Sequence, residues 1–462
     1  MSPGTSQHSI VKPPRGWPRV VIYSHDTFGL GHLTRSTRIA RGVLSAFPGG
    51  SVLLLSGSPI AHRFSFPARV DYVKLPSVVK SGPDSYDARE LRISPRRICW
   101  MRAQLILDTI DSFRPHLLLV DNVPLGMKGE LVPALEWLKR RLPRTRIHLD
   151  LRDVLDDPQV IRESWTTLGV PRILNDIYDE IHVFGHPTIF DAISAYGLPV
   201  EKSSYLNYLA PSEEERISPA PLPPLRPGRA RILVTVGGGG DGASILHCVA
   251  ALQRKLGKDS PYHFDLVTGP LMPVAARLEL LVDLDGLPGI VVHEYVEHLP
   301  AWMSACDLLL CMGGYNTLCE AMAVAPRAVV VPRIHPRREQ EIRARALEER
   351  GLIEVIHPEK LDPTVLEQTL HRSLQGAPVL RTRELPPLTG AAELAGRLVS
   401  VLTPPKPRSR GNRNRSAATV SERAPGTRRT AADERGLSTI MRQRRSPRLS
   451  AWRHRGVPHA FE

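Results

Sequence analysis

His32 closes the run Gly29-Leu30-Gly31-His32, which lies between a short apolar run at 20–24 and the helical pattern LTRSTRIARGVLSAF. Gly29 and Gly31 permit a tight turn and close approach of a ligand on the acceptor side. An imidazole at the start of a helix, projecting toward a cleft, can take a proton from an acceptor hydroxyl. A positive helix end would keep that base neutral. The plainer reading is a histidine that only shapes the turn. The run is not the GxGxxG fingerprint and gives little support for a dinucleotide. Asp121 ends the apolar run HLLLV and is followed by Asn122. A carboxylate at the C-terminal end of a buried parallel strand is placed for cleft chemistry, where it orients His32 or binds acceptor. It can equally cap a helix or turn. Arg152 and Asp153 follow the next strand pattern and offer the same roles, or a salt bridge to each other.

A second set of residues suits an anionic ligand. Gly237, Gly238, Gly239 and Gly240 follow the strand pattern RILVTV and precede the helical ASILHCVAAL. In that setting they fit a backbone cradle for a pyrophosphate, the alternative being a flexible turn. No Gly-Lys-Ser/Thr follows, so this is not a Walker loop. In CMGGYNTLCEAMAVAPRAVVVPRIHPRREQEIRAR, residues 311–345, Gly313 and Gly314 lead into a helix beginning near Asn316. Thr317 and Glu320 then share a face, with Thr317 able to reach a phosphate. Glu320 is repelled by phosphate, and a carboxylate beside a phosphate site accepts hydrogen bonds from sugar hydroxyls. Its plainer reading is a first-turn acid stabilised by the helix dipole. Gln340 lies on the charged helix that follows. The stretch reads as a nucleotide-sugar pocket.

The elements that position these residues alternate. SVLLLSGS, RVDYVKLP, HLLLVDN, RIHLDLRDV and EIHVFGH read as strands, with a helix over 89–113 carrying Ile98, Met101, Leu105 and Ile106. Alternating strands and helices predict a doubly wound parallel sheet. Residues 210–228, rich in Pro and charge, read as a linker. A second α/β pattern runs from RILVTV through HFDLVTG, GIVVHEYV, DLLLCMGG and AVVVPR to the helical GAAELAGRLVSVL. The expected organisation is a disordered segment over 1–18, an α/β domain over 19–209, the linker, a second α/β domain over 229–402, and a disordered basic tail over 403–462. Two such halves leave a cleft between them, where α/β sheets place ligands.

The 462 residues carry a net charge of +14, but residues 403–462 hold fifteen Lys/Arg against four Asp/Glu and account for eleven of it. Basicity belongs to the tail, which is free to touch anionic lipid or nucleic acid. A scaffold or nucleic-acid-binding role resting on that tail is one alternative function. The five arginines of Arg89–Arg102, with Trp100, make either a solvated helix face or a surface for an anionic acceptor or membrane. No run approaches the ~20 apolar residues of a membrane span, and the N-terminus lacks a signal-peptide core. The five cysteines form no CxxC framework, which fits a reducing cytoplasm; Cys311 and Cys319 read as buried apolar groups rather than metal ligands.

Taken together, the loops resemble those of MurG-like GT-B glycosyltransferases, related to the peptidoglycan N-acetylglucosaminyltransferase, over most of 19–402. The form MGGYNT…CE…PR…REQ…RA, here Met312–Thr317, Cys319-Glu320, Pro332-Arg333, Arg338–Gln340 and Arg343-Ala344, is similar to that of a bacterial predicted glycosyltransferase family. The resemblance implies an α/β GT-B fold of two Rossmann-like domains, with acceptor in the first and nucleotide sugar, UDP-linked, in the second. It implies no obligatory catalytic metal, and no cofactor is expected; the cysteines point to a cytoplasmic protein, whose basic tail is placed for peripheral contact at the inner membrane face. By the same resemblance Glu320 binds ribose hydroxyls, and Gly313, Gly314 and Thr317 lie near the diphosphate. Gln340 contacts the sugar, the backbone at Val296 faces the base, the 237–240 glycines line the phosphate side, and His32 is the cleft histidine. Glu339-Gln340 and Arg343 depart from the Gln-Gln pair and Asn of the MurG pattern, and the 237–240 loop lacks its Ser-Gln. The GHLTRS form of the first loop also resembles nucleotide-sugar hydrolases, so hydrolysis or epimerisation on the same scaffold is the other alternative.

Overall fold

A computed structural model describes residues 17–25, 31–80, 86–218, 221–225 and 227–402. Gly29, most of the expected N-terminal disordered segment and the whole basic tail lie outside the described residues.

The first sheet consists of β1 (Arg19–Ser24), β2 (Ser51–Ser56), β3 (Val70–Lys74), β6 (Leu117–Asp121), β7 (Arg146–Arg152), β8 (Glu180–Phe184) and β9 (Ser203–Tyr205). Its order is β3-β2-β1-β6-β7-β8-β9, with every pairing parallel. Between β3 and β6 the chain makes a separate hairpin of β4 (Val78–Lys80) and β5 (Tyr86–Ala88). The second sheet comprises β10 (Ala230–Thr235), β11 (Tyr262–Val267), β12 (Ile290–His293), β13 (Leu308–Cys311), β14 (Ala328–Val330) and β15 (Glu354–Val355). It is also parallel throughout, in the order β12-β11-β10-β13-β14-β15. The central strands are continuous apolar runs because helices cover both of their faces. All five residues of β6, for example, are buried.

Strand order reverses beside β1 in the first sheet and beside β10 in the second. Ligands of open α/β sheets bind at such switch points, outside the carboxyl ends of the strands. His32 stands at the start of the helix that follows β1, and Asp121 ends β6. Those leaving β10 and β13 carry the 237–240 glycines and Gly313-Gly314.

One apolar core runs through both halves. It joins Ile22, Leu33 and Leu117 to Tyr315, Leu318 and Cys311, and it includes Leu394 and Leu398 of the last helix, Gly390–Leu402. That helix packs on the first helix, α1 (Gly31–Ala46), so the end of the second half returns to the first. Separate clusters fill the opposite faces of the two sheets. The 210–228 segment is more than a spacer. It holds a helical turn, Glu213–Ile217, whose capping box joins Ser212 and Glu215.

The helix expected over 89–113, α2, spans only Pro95–Phe113, because Ser94 caps it and Pro95 occupies its first turn. Its buried face is Ile98, Cys99, Arg102, Ala103, Ile106 and Ile110, and Leu105 points outward. Arg102 is not on a solvated face. It is fully buried, with Nε 2.6 Å from Glu130 Oε2 and Nη2 2.7 Å from Oε1. All five cysteines are buried and free. No helix among the described residues is long and apolar enough to cross a membrane.

Candidate functional site

β6 ends at Asp121 and α1 begins at Gly31, so the switch point sets the carboxylate beside the helix's second residue. His32 Nδ1 lies 2.5 Å from Asp121 Oδ2. Arg35, one turn further along α1, pairs with the other Asp121 oxygen. It also donates to the carbonyls of Asp150 and Leu151 at 3.1 Å. A proton on His32 Nδ1 directed at the carboxylate leaves Nε2 as a free acceptor. Burial, and then the charge of Arg152, lower the His32 pKa to about 4 against the pull of Asp121, so the imidazole is neutral at pH 7. Burial opposes ionisation of Asp121, but His32 and Arg35 on its two oxygens hold its carboxyl well below the usual range. The neutral base expected from the helix end is therefore supplied by burial and a neighbouring cation.

Arg152 ends β7 and does not pair with Asp153. Among the described residues its Nε and Nη2 are buried without a hydrogen-bond partner. Burial lowers its pKa, with the Asp121 charge opposing. Guanidinium nitrogens buried without a partner are costly unless an anion meets them. Gly31 is where these groups converge, since a Cβ there would lie 3.3 Å from Asn316 Nδ2 and 3.7 Å from Arg152 Nη2.

The two halves meet along this seam through specific polar contacts. Asn316, at the start of the Tyr315–Val324 helix, donates from Nδ2 to the Gly31 carbonyl at 2.6 Å. Asp153 pairs across the seam with Arg343 of the Glu339–Glu348 helix, at 2.7 Å from Nη2 and 3.0 Å from Nε. Arg343 Nη1 also reaches the Gly313 carbonyl at 3.0 Å. The residue that departs from the MurG pattern is thus a buried strut between the halves. Glu320 faces the first half too, with its Oε1 2.7 Å from Arg38 Nη2 of α1, and Arg38 also holds Glu215 of the 210–228 segment at 2.7 Å. Burial raises the Glu320 pKa while Arg38 opposes it.

On the donor side, the Tyr315–Val324 and Ala243–Leu256 helices begin at Gly314 and Gly242 with no side-chain cap. No side chain competes with an anion for the first-turn N–H groups, although the Ile245 amide already donates to the Gly242 carbonyl at 3.1 Å. Thr317 is half-buried on the first turn. Gly237 and Gly240 are exposed, but Gly239 (φ +88°) has a packing role that the sequence did not suggest. A Cβ there would meet the Thr268 carbonyl oxygen at 2.3 Å, because the loop leaving β11 crosses it. The Leu271 amide donates to the Gly238 carbonyl at 2.8 Å, which fixes the crossing. Gln340 is buried, and its Oε1 accepts from the Arg333 amide at 3.0 Å. Arg333 bridges Glu339 and Asp241, tying the Gln340 region to the glycine loop. The Val296 side chain packs into the shared core.

The sequence did not single out His25, Arg35, Arg38 or Asn316 for the site. His25 follows β1 directly, and its ring meets that of His32 edge-on at 5.7 Å. The one available signal was position: His25 stands at the carboxyl end of a switch-point strand.

Two parallel doubly wound sheets, facing each other at their switch points and tied by a returning last helix, define the GT-B class of fold. Residues 232–395 match the glycosyltransferase family 28 C-terminal domain. The chain is 33% identical over 135 residues to the UDP-N-acetylglucosamine--N-acetylmuramyl-(pentapeptide) pyrophosphoryl-undecaprenol N-acetylglucosamine transferase of Alkaliphilus metalliredigens. That match spans 29% of this chain and 37% of the relative's length. The crystal structure of the glycotransferase of kitacinnamycin superposes with a TM-score of 0.55 at 16% identity, covering 84% of this chain and all of that one. MurG of Acinetobacter baumannii gives 0.50 at 14% identity, covering 83% and 99%. The chain has a GT-B fold, and its second half resembles the C-terminal domain of glycosyltransferase family 28.

Proposed function

We propose that the protein transfers a sugar from a nucleotide diphosphate sugar, UDP-linked, to a hydroxyl of an acceptor held by the first half. The observation that carries this reading is the His32–Asp121 pair beside the unpartnered Arg152, at the seam with the family 28 domain. The relative named above is an N-acetylglucosamine transferase, which favours an amino sugar as donor.

In this reading Asp121 holds the Nδ1–H tautomer, and His32 Nε2 takes the acceptor proton as the acceptor oxygen bonds to the anomeric carbon. The bond from that carbon to the diphosphate oxygen breaks, and the nucleoside diphosphate leaves with its electron pair. Arg152 and the uncapped helix starts at Gly314 and Gly242 stabilise the developing charge, so no catalytic metal is required. Glu320 accepts from the ribose through lone pairs not engaged by Arg38. Gln340 offers its amide N–H groups to the sugar, its oxygen being taken. The backbone at Val296 lies toward the base.

The test is incubation of the purified chain with UDP-sugars, with and without hydroxyl acceptors, following UDP release and sugar transfer. Acceptor-dependent release supports transfer. Rapid stoichiometric release of free sugar without acceptor assigns the site to hydrolysis instead.

The same reading places the protein at the cytoplasmic membrane face. Leu91, Ile93, Trp100 and Leu105 are exposed, among exposed Arg89, Arg92, Arg96 and Arg97. Exposed apolar and basic groups close together in the chain suit the interface of an anionic bilayer. Co-sedimentation with anionic but not neutral vesicles tests this, and equal sedimentation with both removes it.

A further inference from the structure

On the first sheet, one strand over from Asp121, β7 and β8 present four polar residues in register. His148 stands opposite Glu180, and Asp150 opposite His182. Residues two apart on a strand share a face, so the four form one patch. His148, Asp150 and His182 are buried, and the Glu180 side chain is 21% exposed. One ligand atom from each of His148, Glu180 and His182 lies within 4.8 Å of the others.

Two of these groups lack partners that a closed protein interior normally supplies. Both ring nitrogens of His148 are buried without a hydrogen bond among the described residues, and so is Asp150 Oδ2. The His148 ring stands perpendicular to that of His182, at 5.0 Å between centroids. Meanwhile His182 Nδ1 lies 2.9 Å from Asp150 Oδ1, and its Nε2 3.0 Å from Glu180 Oε2.

We propose that His148, Glu180 and His182 bind a divalent transition metal ion of the zinc type, with Asp150 orienting His182. The donor set of two imidazoles and a carboxylate suits zinc, whose bonds to such ligands are about 2.0–2.2 Å. Ligand atoms at that distance from a tetrahedral ion are separated by roughly 3.3 Å, close to the separation found between His182 Nε2 and Glu180 Oε2. Asp150 completes a carboxylate–histidine–metal arrangement, accepting from the ring nitrogen that does not face the ion. With both imidazoles neutral, the two carboxylates carry two negative charges, which a dication balances.

Arg397 of the last helix occupies the metal's place electrostatically. Its Nε lies 2.9 Å from Glu180 Oε2, and its side chain is 41% exposed, so it can turn into solvent when an ion binds. The site joins β7 and β8, toward the β9 edge of the sheet, and its side chains take no part in the proposed sugar transfer. Arg35, which holds Asp121, also bonds the Asp150 carbonyl, so the ion would brace the strand behind the catalytic pair.

The experiment uses the full, untagged chain, stripped with chelator and dialysed against zinc. Bound metal is measured by mass spectrometry and melting temperature is followed against zinc concentration. The cobalt-loaded protein is examined for tetrahedral ligand-field bands. The expected result is one zinc per wild-type chain, with a melting temperature that rises with zinc. His148→Gln and Glu180→Gln should each lose the bound zinc, the rise and the cobalt bands. Asp150→Asn should weaken binding by about 10–100-fold, and Arg397→Gln should lower the zinc concentration needed. Should His148→Gln fail to fold, the more accessible Glu180→Gln carries the test alone. Wild type that retains no zinc overturns the proposal, as does zinc retained equally by the Gln variants. In either case His182 is an imidazolium bridging two carboxylates.

Discussion

Arg38 and Glu320 lie 282 positions apart in the chain, yet Arg38 Nη2 is 2.7 Å from Glu320 Oε1. The pair ties α1 to the Tyr315–Val324 helix beneath the seam, and Glu215 joins it from the 210–228 segment. Glu320 therefore has two duties in the proposed mechanism, holding the halves together and accepting from the donor's ribose. Removing one partner of a buried pair leaves the other charge uncompensated, which typically costs about 3–5 kcal/mol. Arg38→Gln should destabilise by that order in chemical denaturation. Glu320→Ala, assayed at a temperature where circular dichroism shows it folded, should weaken UDP binding by calorimetry. An unchanged dissociation constant would remove Glu320 from the donor site.

His32→Ala should lower turnover by about 10²–10⁴-fold, the usual contribution of a positioned general base. Donor affinity should stay near wild type. Asp121→Asn should also cut turnover, because an amide no longer selects the Nδ1–H tautomer. Steady-state kinetics with donor titration separates the two parameters, and wild-type turnover in His32→Ala would exclude the imidazole from the chemistry.

The pH dependence follows from the surroundings of His32. Its pKa is lowered to about 4, first by burial and then by Arg152. The base is active when unprotonated, so kcat/KM should hold as pH falls through 6.5 and decline only on approaching 4. Arg152→Gln removes a charge that disfavours the imidazolium, so it should move this acid limb upward. A limb near 6.5 in the wild type would contradict the neutral buried base. The sign for stability is the same. The folded-state pKa lies below the unfolded one, so this contribution is complete above about 6.5 and is lost as pH falls toward 4.

Glycines in the 237–240 loop should separate packing from ligand binding. Gly239→Ala places a Cβ 2.3 Å from the Thr268 carbonyl at a φ of +88°, which requires the backbone to shift. It should lower the melting temperature sharply. At Gly237 (φ +66°) a Cβ meets nothing within 4 Å, so alanine costs only the left-handed conformation, about 1–2 kcal/mol. If the loop cradles the diphosphate, Gly237→Ala should weaken UDP binding more than its small loss of stability accounts for. Wild-type affinity in that variant would assign the loop to packing alone.

The sequence by itself determined the two parallel sheets, because buried strands such as HLLLV and RILVTV are apolar on both faces and alternate with helical periodicity. It also located the turns at Gly31, Gly237–Gly240 and Gly313-Gly314, since glycine-rich loops between strand and helix are local patterns. The place of His32 at a helix start and of Asp121 at a strand end was legible for the same reason. Tertiary structure alone decided which charges face inward. Arg35, Arg38, Arg102 and Arg343 look like surface cations in sequence, but all four are buried. Each is tolerated there because a carboxylate distant in sequence meets it: Asp121, Glu320, Glu130 or Asp153. Arg152 is half-buried, and its buried Nε and Nη2 have no such partner among the described residues. Hydrophobic period and turn chemistry act over a few residues, whereas a buried charge requires its counterion in three dimensions, which no local pattern records.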